Sequence, residues 1–353
     1  MRAPDMQKLD AFVGQLVGDL GASVTACLVV LGDQLGLYKA MADGAALSAA
    51  ELAARTGVKE RYLREWLSAQ AAAGYVDYDE GKDRFSLNPE QAMAFAEEGS
   101  PAFFAGAFEI VQSMWLDEPR IAEAFRTGRG FGWHEHDKCL FRGTERFFRP
   151  GYNANLVESW IPALEGVREK LERGAVVADV GCGHGASTVL MAQAFPKSRF
   201  YGFDYHGPSI ERAKQAAAAA GVEDRITFQK ATAKDFEEQQ YDLVTMFDCL
   251  HDMGDPVGAG RHIKDTLAED GSWMIVEPFA HDRLKDNLNP VGRVFYGAST
   301  MICTPASLSQ EVGLGLGAQA GEVRLRKVAL DAGFSRFRRA TETPFNMVFE
   351  VRP

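Results

Sequence analysis

The chain has little of what marks disulfide-bonded, zinc-clustered or membrane-spanning proteins. Its 353 residues hold five cysteines, which are scattered and form no Cys-x-x-Cys pair. Neither a disulfide framework nor a zinc knuckle is therefore indicated. The longest apolar stretches, such as Ala26 to Leu31, fall far short of the roughly 20 residues that a bilayer span needs. The amino terminus lacks a basic-then-apolar signal pattern, so we expect a soluble cytoplasmic protein without a membrane partner.

Basic residues are also in deficit. The 38 Lys and Arg side chains face 49 Asp and Glu side chains, which gives a net charge of −11. Such a field repels nucleic acid and anionic membrane surfaces. With 46% hydrophobic and 25% charged residues, the composition is that of an ordinary globular protein rather than a disordered one. The length predicts two or three domains.

Residues 1–95 are predicted to form a helical domain with a winged-helix outline. Ser48 followed by Glu51 predicts a capping box at the start of one helix, which Gly57 ends. A second helix up to Gly74 precedes two short strands. Before them, apolar residues recur at helical spacing and predict a long helix with a stripe that needs a partner: Leu9, Phe12, Val13, Leu16, Val17 and Leu20.

The rest of the chain changes pattern twice. Residues 96–170 are predicted to be a mainly helical connector that is rich in aromatic residues. These aromatic side chains either pack as the core of a helical layer or wall an apolar ligand pocket. From 171 to 353, strands and helices alternate at a spacing that predicts an α/β domain with a parallel, Rossmann-like sheet. The last two strands are expected to form a hairpin at the edge of this sheet.

A glycine-rich turn lies between the first strand and the first helix of this α/β domain. It reads Asp179-Val-Gly181-Cys-Gly183-His-Gly185, and glycines there let the backbone approach a ligand at a helix amino terminus. Asp204 ends the next strand, where a carboxylate accepts the ribose hydroxyls of an adenosine ligand. The GxGxG spacing and the lack of a second dinucleotide-binding half weigh against a nicotinamide dehydrogenase.

These residues resemble the class I S-adenosylmethionine (SAM)-dependent methyltransferases. The matching segments are 177–185 and Gly202-Phe-Asp204-Tyr205. The resemblance implies a seven-stranded sheet with a reversed last strand and SAM in the glycine turn. Where the family carries an acidic-apolar pair at the adenine, this chain has Thr232-Ala233. The cofactor-binding residues expected on this basis are Asp179, Gly181, Gly183, Asp204, Tyr205, Thr232, Ala233, Phe247, Asp248 and Tyr152.

A histidine follows the fourth strand of the α/β domain. His251 lies just past the strand's carboxyl end, and Glu277 ends the next strand, so both side chains are expected in one cleft. A neutral histidine takes a proton from a hydroxyl, and a carboxylate orients it. Taken alone, a loop histidine is more often structural. The pair His251-Asp252 with Glu277 is similar to small-molecule O-methyltransferases, and segments 35–44 and 52–57 look like their amino-terminal dimerisation domain.

The segment Trp133-His134-Glu135-His136 leaves three interpretations open. On a strand, His134 and His136 would share a face and could bind a metal ion. Alternatively, Trp133 and the two histidines line a substrate pocket, or the histidines are hydrogen-bonded within a loop. No third ligand is signalled nearby, and methyl transfer needs no metal, so no metal site is predicted.

A winged helix also raises the alternative of a SAM-responsive transcription regulator. Lys59, Arg61 and Arg64 lie on the expected recognition helix. However, residues 1–95 hold nine basic against thirteen acidic side chains, a net charge of −4, and a DNA-binding domain normally shows the reverse. The sequence therefore favours a homodimeric methyltransferase that moves a methyl group from SAM to a small molecule with a hydroxyl acceptor, with His251 as general base.

Overall fold

The computed structural model describes residues 3–353, which form two compact units. One unit contains the residues up to Ser113 together with Lys138–Pro150, and the other contains Met114–Asp137 together with Gly151–Pro353. The residues predicted as a connector, 96–170, are divided between the two units. They divide in this way because two long helices, Ala105–Thr127 and Lys138–Asn155, each contribute one part to each unit.

The amino-terminal unit has the predicted order of helices followed by a small wing. Its elements, with the two shared helices, are α1 (Met6–Gln34), α2 (Leu37–Met41), α3 (Ala49–Thr56), α4 (Glu60–Ala72), β1 (Asp77–Asp79), β2 (Arg84–Ser86), α5 (Pro89–Phe95), α6 (Ala105–Thr127) and α7 (Lys138–Asn155). The capping box is present. Ser48 Oγ accepts the Glu51 N–H at 3.2 Å, while the Glu51 carboxylate accepts the Ser48 N–H at 2.7 Å. These bonds satisfy backbone donors that the first turn of α3 leaves without helical partners.

Helix α1 is longer and more apolar than the run of residues 26–31 indicates. It is the one helix within residues 3–353 that is long and apolar enough to cross a membrane, judged by length and composition only. The expectation that every apolar stretch of the chain is too short to cross a membrane was therefore wrong. Small and apolar residues on both sides of Asp10 and Asp19 extend the apolar segment beyond any uninterrupted run. The predicted stripe is exposed within this chain; Leu20, for example, keeps 67% of its surface accessible.

Helices α6 and α7 approach each other closely at two glycines. A Cβ atom added to Gly143 would lie 2.9 Å from the carbonyl oxygen of Gly106 and from the backbone nitrogen of Ile110. A Cβ atom added to Gly106 would lie 2.8 Å from the backbone nitrogen of Phe147. Backbone atoms cannot move aside as a flexible side chain does, so only glycine fits at this crossing.

A buried charge cluster lies beside this crossing. The Arg146 guanidinium donates to Asp33 at 2.6 Å and to Glu98 at 3.2 Å, and it also pairs with Glu109. Arg142 adds a second bond to Glu109 at 2.6 Å. A carboxylate as buried as that of Glu109 needs such compensation, because an isolated charge would shift the balance towards unfolding. The cluster thus ties α1 to α6 and α7 within the amino-terminal unit.

The second unit contains a seven-stranded sheet, as predicted. Its elements are α8 (Val167–Arg173), β3 (Val176–Val180), α9 (Ala186–Ala194), β4 (Arg199–Asp204), α10 (Gly207–Ala220), β5 (Ile226–Lys230), β6 (Tyr241–Phe247), α11 (Pro256–Thr266), β7 (Leu267–Pro278), α12 (Pro290–Ala298), α13 (Thr304–Leu308), α14 (Gly321–Asp331), β8 (Arg336–Glu342) and β9 (Asn346–Arg352). The strand order is β5-β4-β3-β6-β7-β9-β8. Only the pairings of β9 with β7 and with β8 are antiparallel.

This topology decides where a ligand meets the sheet. Strands β3 and β6 are almost continuously buried, which fits a parallel sheet covered by helices on both faces. The order of connections reverses between β3 and β6, because β4 and β5 extend the sheet one way and β6 and β7 the other. Ligands of open α/β sheets bind at the carboxyl ends of the strands beside such a reversal. Of the predicted hairpin, β8 forms the edge and β9 lies inside the sheet.

We predict that Gly143→Ala destabilises α7, whereas Gly151→Ala in the same helix does not. The first change forces a methyl group against the α6 backbone and is expected to cost about 1–3 kcal/mol. The second adds a methyl group where no atom lies within 4 Å, and it gains up to about 1 kcal/mol of helix propensity. Hydrogen exchange of the α7 amides measures both effects. Equal protection in the two variants would contradict the close crossing.

Candidate functional site

The glycine turn after β3 folds as the sequence predicts. Gly181, Gly183 and Gly185 have φ angles of +76°, +52° and +80°, a region that residues with a Cβ atom rarely adopt. The backbone N–H groups of Gly181 and Cys182 both donate to the Phe203 carbonyl, at 2.8 and 3.0 Å. The turn is therefore bonded to the end of β4, and α9 begins directly after it at Ala186.

The Asp179 side chain lies beneath the turn rather than in it. Its carboxylate accepts hydrogen bonds from Ser187 Oγ at 2.7 Å, Thr188 Oγ1 at 2.5 Å and Thr245 Oγ1 at 3.0 Å. Only 1% of Asp179 is exposed, and this burial raises the pKa of its carboxyl group, although the three hydroxyl donors act in the opposite direction. The residue was predicted to bind the cofactor; its side chain joins β3 to α9 and β6.

The Asp204 carboxylate lies beside the turn, where β4 ends. Its two oxygens accept the backbone N–H groups of Gly183 at 3.0 Å and His206 at 2.8 Å. Burial raises the pKa of this carboxyl group, and the two backbone donors partly offset the effect. Each carboxylate oxygen has two lone pairs and uses one of them here, so the group keeps acceptor capacity for ligand hydroxyls.

A second acidic group follows β6. Asp248 has an unusual φ of +50° for a residue that is not glycine, and its carboxyl oxygens accept Tyr152 Oη and Asn346 Nδ2, each at 3.1 Å. Burial and the nearby Glu277 raise the pKa of Asp248 to about 8. Phe247, the residue before it, packs its ring 5.3 Å from the ring of Tyr152. The structure thus brings three of the predicted cofactor residues together at the end of β6.

His251 lies three residues further along, in a short 3-10 turn over Leu250–Asp252. Its Nδ1 atom is 2.5 Å from Oε2 of Glu277, and its backbone N–H donates to the other carboxylate oxygen at 3.3 Å. Its Nε2 atom is 3.2 Å from Oδ1 of Asp252. Burial alone would lower the pKa of His251, but these two carboxylates outweigh it and raise the pKa above its ordinary value.

The segment from Trp133 to His136 is not a strand. Residues Trp133–Glu135 form a 3-10 turn, so the alternating geometry of a shared metal-binding face does not arise. The Nδ1 atom of His136 is 2.7 Å from the Asp117 carboxylate, and burial lowers the pKa of this histidine. The His134 ring lies instead against Tyr205, with 5.8 Å between ring centres.

The remaining predicted cofactor residues lie after β4 and β5. Tyr205 directly follows Asp204 and is 41% exposed. Thr232 and Ala233 follow β5, and Asp235 accepts both the N–H and the hydroxyl of Thr232, at 2.6 and 2.7 Å. An acidic side chain is therefore present at this loop, three residues later than the family pattern places it.

Four further groups that the fold brings to these residues were not predicted from the sequence. Thr245 and Asn346 lie on β6 and β9, and their contacts with Asp179 and Asp248 depend on strand register, which no local motif reveals. Asp252 was noted as part of a motif but not as the second carboxylate at His251. Cys303 approaches His251 and Asp252 from a segment fifty residues away, and its only signal was its residue type.

Two family models each match part of the chain. Residues 171–312 match a family model described as a methyltransferase domain, and residues 23–96 match one described as an Rv2258c-like winged HTH domain. Residues 171–312 therefore resemble the methyltransferase class of domains, and residues 23–96 resemble winged helix-turn-helix domains. The resemblance to methyltransferases drawn from the sequence is confirmed for residues 171–312.

Individual relatives agree with this class. The chain is 27% identical over 154 residues to 27-O-demethylrifamycin SV methyltransferase of Amycolatopsis mediterranei, covering 41% of this chain and 48% of that relative. The chain thus spans about half the length of this curated relative. An O-methyltransferase family protein from Burkholderia thailandensis has a similar structure, with a TM-score of 0.71 at 17% identity and 99% of both chains covered.

A human enzyme has the same fold. The structure of human N-acetylserotonin methyltransferase in complex with SAM covers 96% of this chain and 97% of its own, with a TM-score of 0.72 at 17% identity. At such identities the likeness shows the fold alone. It confirms the predicted Rossmann-like sheet with a helical, winged amino-terminal part.

We predict that Gly183→Ala is tolerated better than Gly185→Ala. Both positions have positive φ, which costs a residue with a Cβ atom about 1–2 kcal/mol. A Cβ atom at Gly183 meets no atom within 4 Å, whereas one at Gly185 would lie 2.8 Å from the Phe228 ring and 2.9 Å from Cβ of Ala213. Thermal unfolding should therefore show a clearly larger loss for Gly185→Ala. Equal losses of thermal stability in the two variants would contradict the open space around Gly183.

Proposed function

We propose that the protein transfers the methyl group of SAM to a hydroxyl group of a small molecule. One observation carries this proposal. Two arrangements lie at the carboxyl ends of strands in one sheet. The first is the glycine turn, which is hydrogen-bonded to Asp204, a carboxylate that can still accept further hydrogen bonds. The second is His251, which is oriented by the buried carboxylate of Glu277. The first arrangement suits an adenosine ligand, and the second suits proton removal from an acceptor.

The cofactor site is proposed from the donor and acceptor groups that remain available. Asp204 would accept the ribose hydroxyls, and Gly181 and Gly183 let the ligand approach the backbone without meeting a side chain. Thr232, Ala233 and Tyr205 follow the neighbouring strands and would border the adenine. When bound there, SAM supplies an activated methyl group. The human N-acetylserotonin enzyme, which has the same fold, was solved with SAM.

Tyr152, Phe247 and Asp248 would border the methionine part of the cofactor. The Asp248 carboxyl already accepts two hydrogen bonds, from Tyr152 and Asn346. With a pKa raised to about 8, this carboxyl group is mostly protonated at neutral pH and adds little negative charge to the site. A ligand that carries a carboxylate would therefore be repelled less than it would be if Asp248 were ionised.

His251 is proposed as the general base. Because Glu277 accepts from Nδ1, the ring acts as a base through Nε2 once the proton that the raised pKa favours on that atom has been released. A substrate hydroxyl would give its proton to Nε2 while its oxygen takes the methyl group. The Glu277 carboxylate would then stabilise the imidazolium. Alignment of donor and acceptor supplies effective molarities of about 10⁵ to 10⁸ M, and a base adds typically about 10² to 10⁴.

The substrate pocket is proposed to include Trp133, His134 and His136. His134 contacts Tyr205, which follows the ribose-binding Asp204, so this turn borders the same strand ends. His136 and Asp117 form a buried polar pair whose remaining imidazole nitrogen has no hydrogen-bond partner within the described residues. The rings of Phe131 and Trp133 lie beside His136, and such an apolar surrounding with few polar groups suits a small aromatic or alicyclic substrate.

The DNA-binding alternative is less well supported than methyl transfer. Of the three basic residues on the expected recognition helix, Arg61 pairs with Glu65 at 2.5 Å and Arg64 pairs with Asp83 at 2.8 Å. Cations that are already paired with carboxylates of their own domain contribute less to phosphate binding. The winged helix is better explained as part of a dimerisation domain.

A second copy of the chain is proposed to cover the exposed stripe of α1. The stripe recurs every three or four residues, while Lys8, Asp10, Gln15 and Asp19 occupy other positions of the helix. Such a one-sided apolar face fits a partner helix, whereas a helix surrounded by lipid is apolar on all sides. We therefore propose a cytoplasmic homodimer that is not inserted in a membrane.

We predict that His251→Ala lowers the turnover of hydroxyl methylation by at least about 10²-fold, because the general base is lost. Binding of SAM, measured by calorimetry, should stay within a few-fold of the unchanged protein. His281→Ala, at an exposed position on a loop after β7, serves as the matched control and should leave both quantities unchanged. Turnover of His251→Ala near the normal rate would refute the role of base and indicate a softer nucleophile.

The dimer is tested by placing a charge on the stripe of α1. Leu16→Glu should convert the dimer into a monomer, because it would bury a carboxylate in an apolar interface. Gln15→Glu adds the same charge one position away, off the stripe, and should leave the dimer intact. Light scattering coupled to size-exclusion chromatography gives both masses. A monomeric unchanged protein, or dissociation by both variants alike, would rule out this interface.

A further inference from the structure

A second set of contacts at His251 is not used by methyl transfer. His251, Asp252 and Cys303 each offer one ligand atom, and these three atoms all lie within 4.8 Å of one another. The side chain of His251 is 4% exposed and that of Asp252 is 17% exposed, while Cys303 is 7% exposed. Oδ1 of Asp252 is buried and lies 3.2 Å from Nε2 of His251. Potential ligand atoms that lie this close together can share one metal ion.

The ligand types and their surroundings match a site for a transition metal. Imidazole, carboxylate and thiolate are the three side-chain ligands of zinc, and three protein ligands leave a fourth tetrahedral position open. Metal-bound histidines usually donate their other ring nitrogen to a carboxylate, which fixes the ring. Glu277 occupies that position at Nδ1 of His251, so Nε2 is directed towards Asp252.

The three ligand residues are held in place by hydrogen bonds that leave their ligand atoms free. Cys303 ends a π-helical turn, Ser299–Cys303, and α13 follows it directly. From this segment, Ser307 Oγ donates to the Met253 carbonyl and Gln310 Nε2 donates to the Asp252 carbonyl, both at 2.8 Å. These bonds fix the segment that carries Cys303 against the turn that carries His251. A site arranged before binding requires less reorganisation when a metal ion enters.

The geometry points to a binding site for one zinc ion, or a similar divalent transition metal, formed by Nε2 of His251, a carboxylate oxygen of Asp252 and Sγ of Cys303. Binding would release to solvent the proton of the Cys303 thiol and the proton that His251 carries on Nε2 as an imidazolium, since the thiolate and the unprotonated nitrogen are the ligands. Asp252 is the most exposed of the three side chains and marks the side from which the ion enters. This site was not predicted from the sequence, because its third ligand, Cys303, lies 52 residues after its first, His251.

A bound ion would inhibit methyl transfer, an inference that rests on the proposed function. The ion would occupy Nε2, the same atom that takes the proton from the acceptor hydroxyl. The metal and the acceptor therefore compete for one nitrogen, and zinc acts as a reversible inhibitor that a chelator removes. Metal binding itself does not depend on the activity of the protein and is measured separately.

Cobalt binding tests the site without any enzymatic assay. Titration of the purified full chain with Co²⁺ should produce a thiolate-to-cobalt charge-transfer band that saturates at one ion per chain, and Zn²⁺ should abolish it by displacement. Cys303→Ala should lose the band, while Cys249→Ser should keep it as the matched control. Glu277→Gln should weaken cobalt binding about 10- to 100-fold, because the histidine loses its orienting carboxylate.

Several outcomes would overturn the site. The first is that the unchanged protein gives no cobalt charge-transfer band. The second is that Cys303→Ala keeps the band while its thermal unfolding curve is normal. If that variant does not fold, Asp252→Asn must lower the cobalt affinity at least about 10-fold, and an unchanged affinity counts against the site. Zinc should also inhibit the unchanged enzyme but not Cys303→Ala. Cobalt binding without methyl transfer would refute the proposed function alone, and transfer without cobalt binding would refute the metal site alone.

Discussion

The glycine turn after β3 depends on one buried carboxylate. Asp179 accepts three hydroxyl hydrogen bonds, from Ser187 and Thr188 on α9 and from Thr245 on β6. A carboxylate buried without such donors would either be neutralised or destabilise the fold. Because each donor comes from an element that borders the turn, satisfying the carboxylate also fixes where β3 ends and where α9 begins. The backbone of the glycine turn, where we propose that SAM binds, is positioned by this carboxylate.

Burial of charged groups also shifts pKa values at the strand ends. At Asp204 and Asp248, burial raises the pKa of a carboxyl group, and fixed hydrogen-bond donors partly offset it. At His251, two carboxylates surround one imidazole and raise its pKa. Glu277 orients the ring through Nδ1, and Asp252 lies 3.2 Å from Nε2. Under the proposed function, an acceptor hydroxyl would therefore compete with Asp252 for Nε2, as would the proposed metal ion.

Much of this was predictable from local patterns. The capping box at Ser48, the glycine turn and the acid at the end of β4 are set by neighbouring residues, so spacing alone indicated them. The contact of Asn346 with Asp248 could not be predicted from local patterns, because it depends on β9 lying beside β7. Cys303 reaches His251 through a π-helical turn that has no sequence signature. The segment at His134 was ambiguous because alternating histidines fit a strand, a turn or a loop equally well.

The central claim is that Asp204 and the glycine turn hold the ribose of SAM. Calorimetry of SAM binding to the purified protein, with Asp204→Asn and the exposed control Asp224→Asn, tests it directly. We expect the unchanged protein and Asp224→Asn to bind SAM with the same affinity. Asp204→Asn should bind at least about 10-fold more weakly, since a charge-assisted hydrogen bond to the ribose is lost. No heat of binding in the unchanged protein, or equal affinity in all three proteins, would contradict the account.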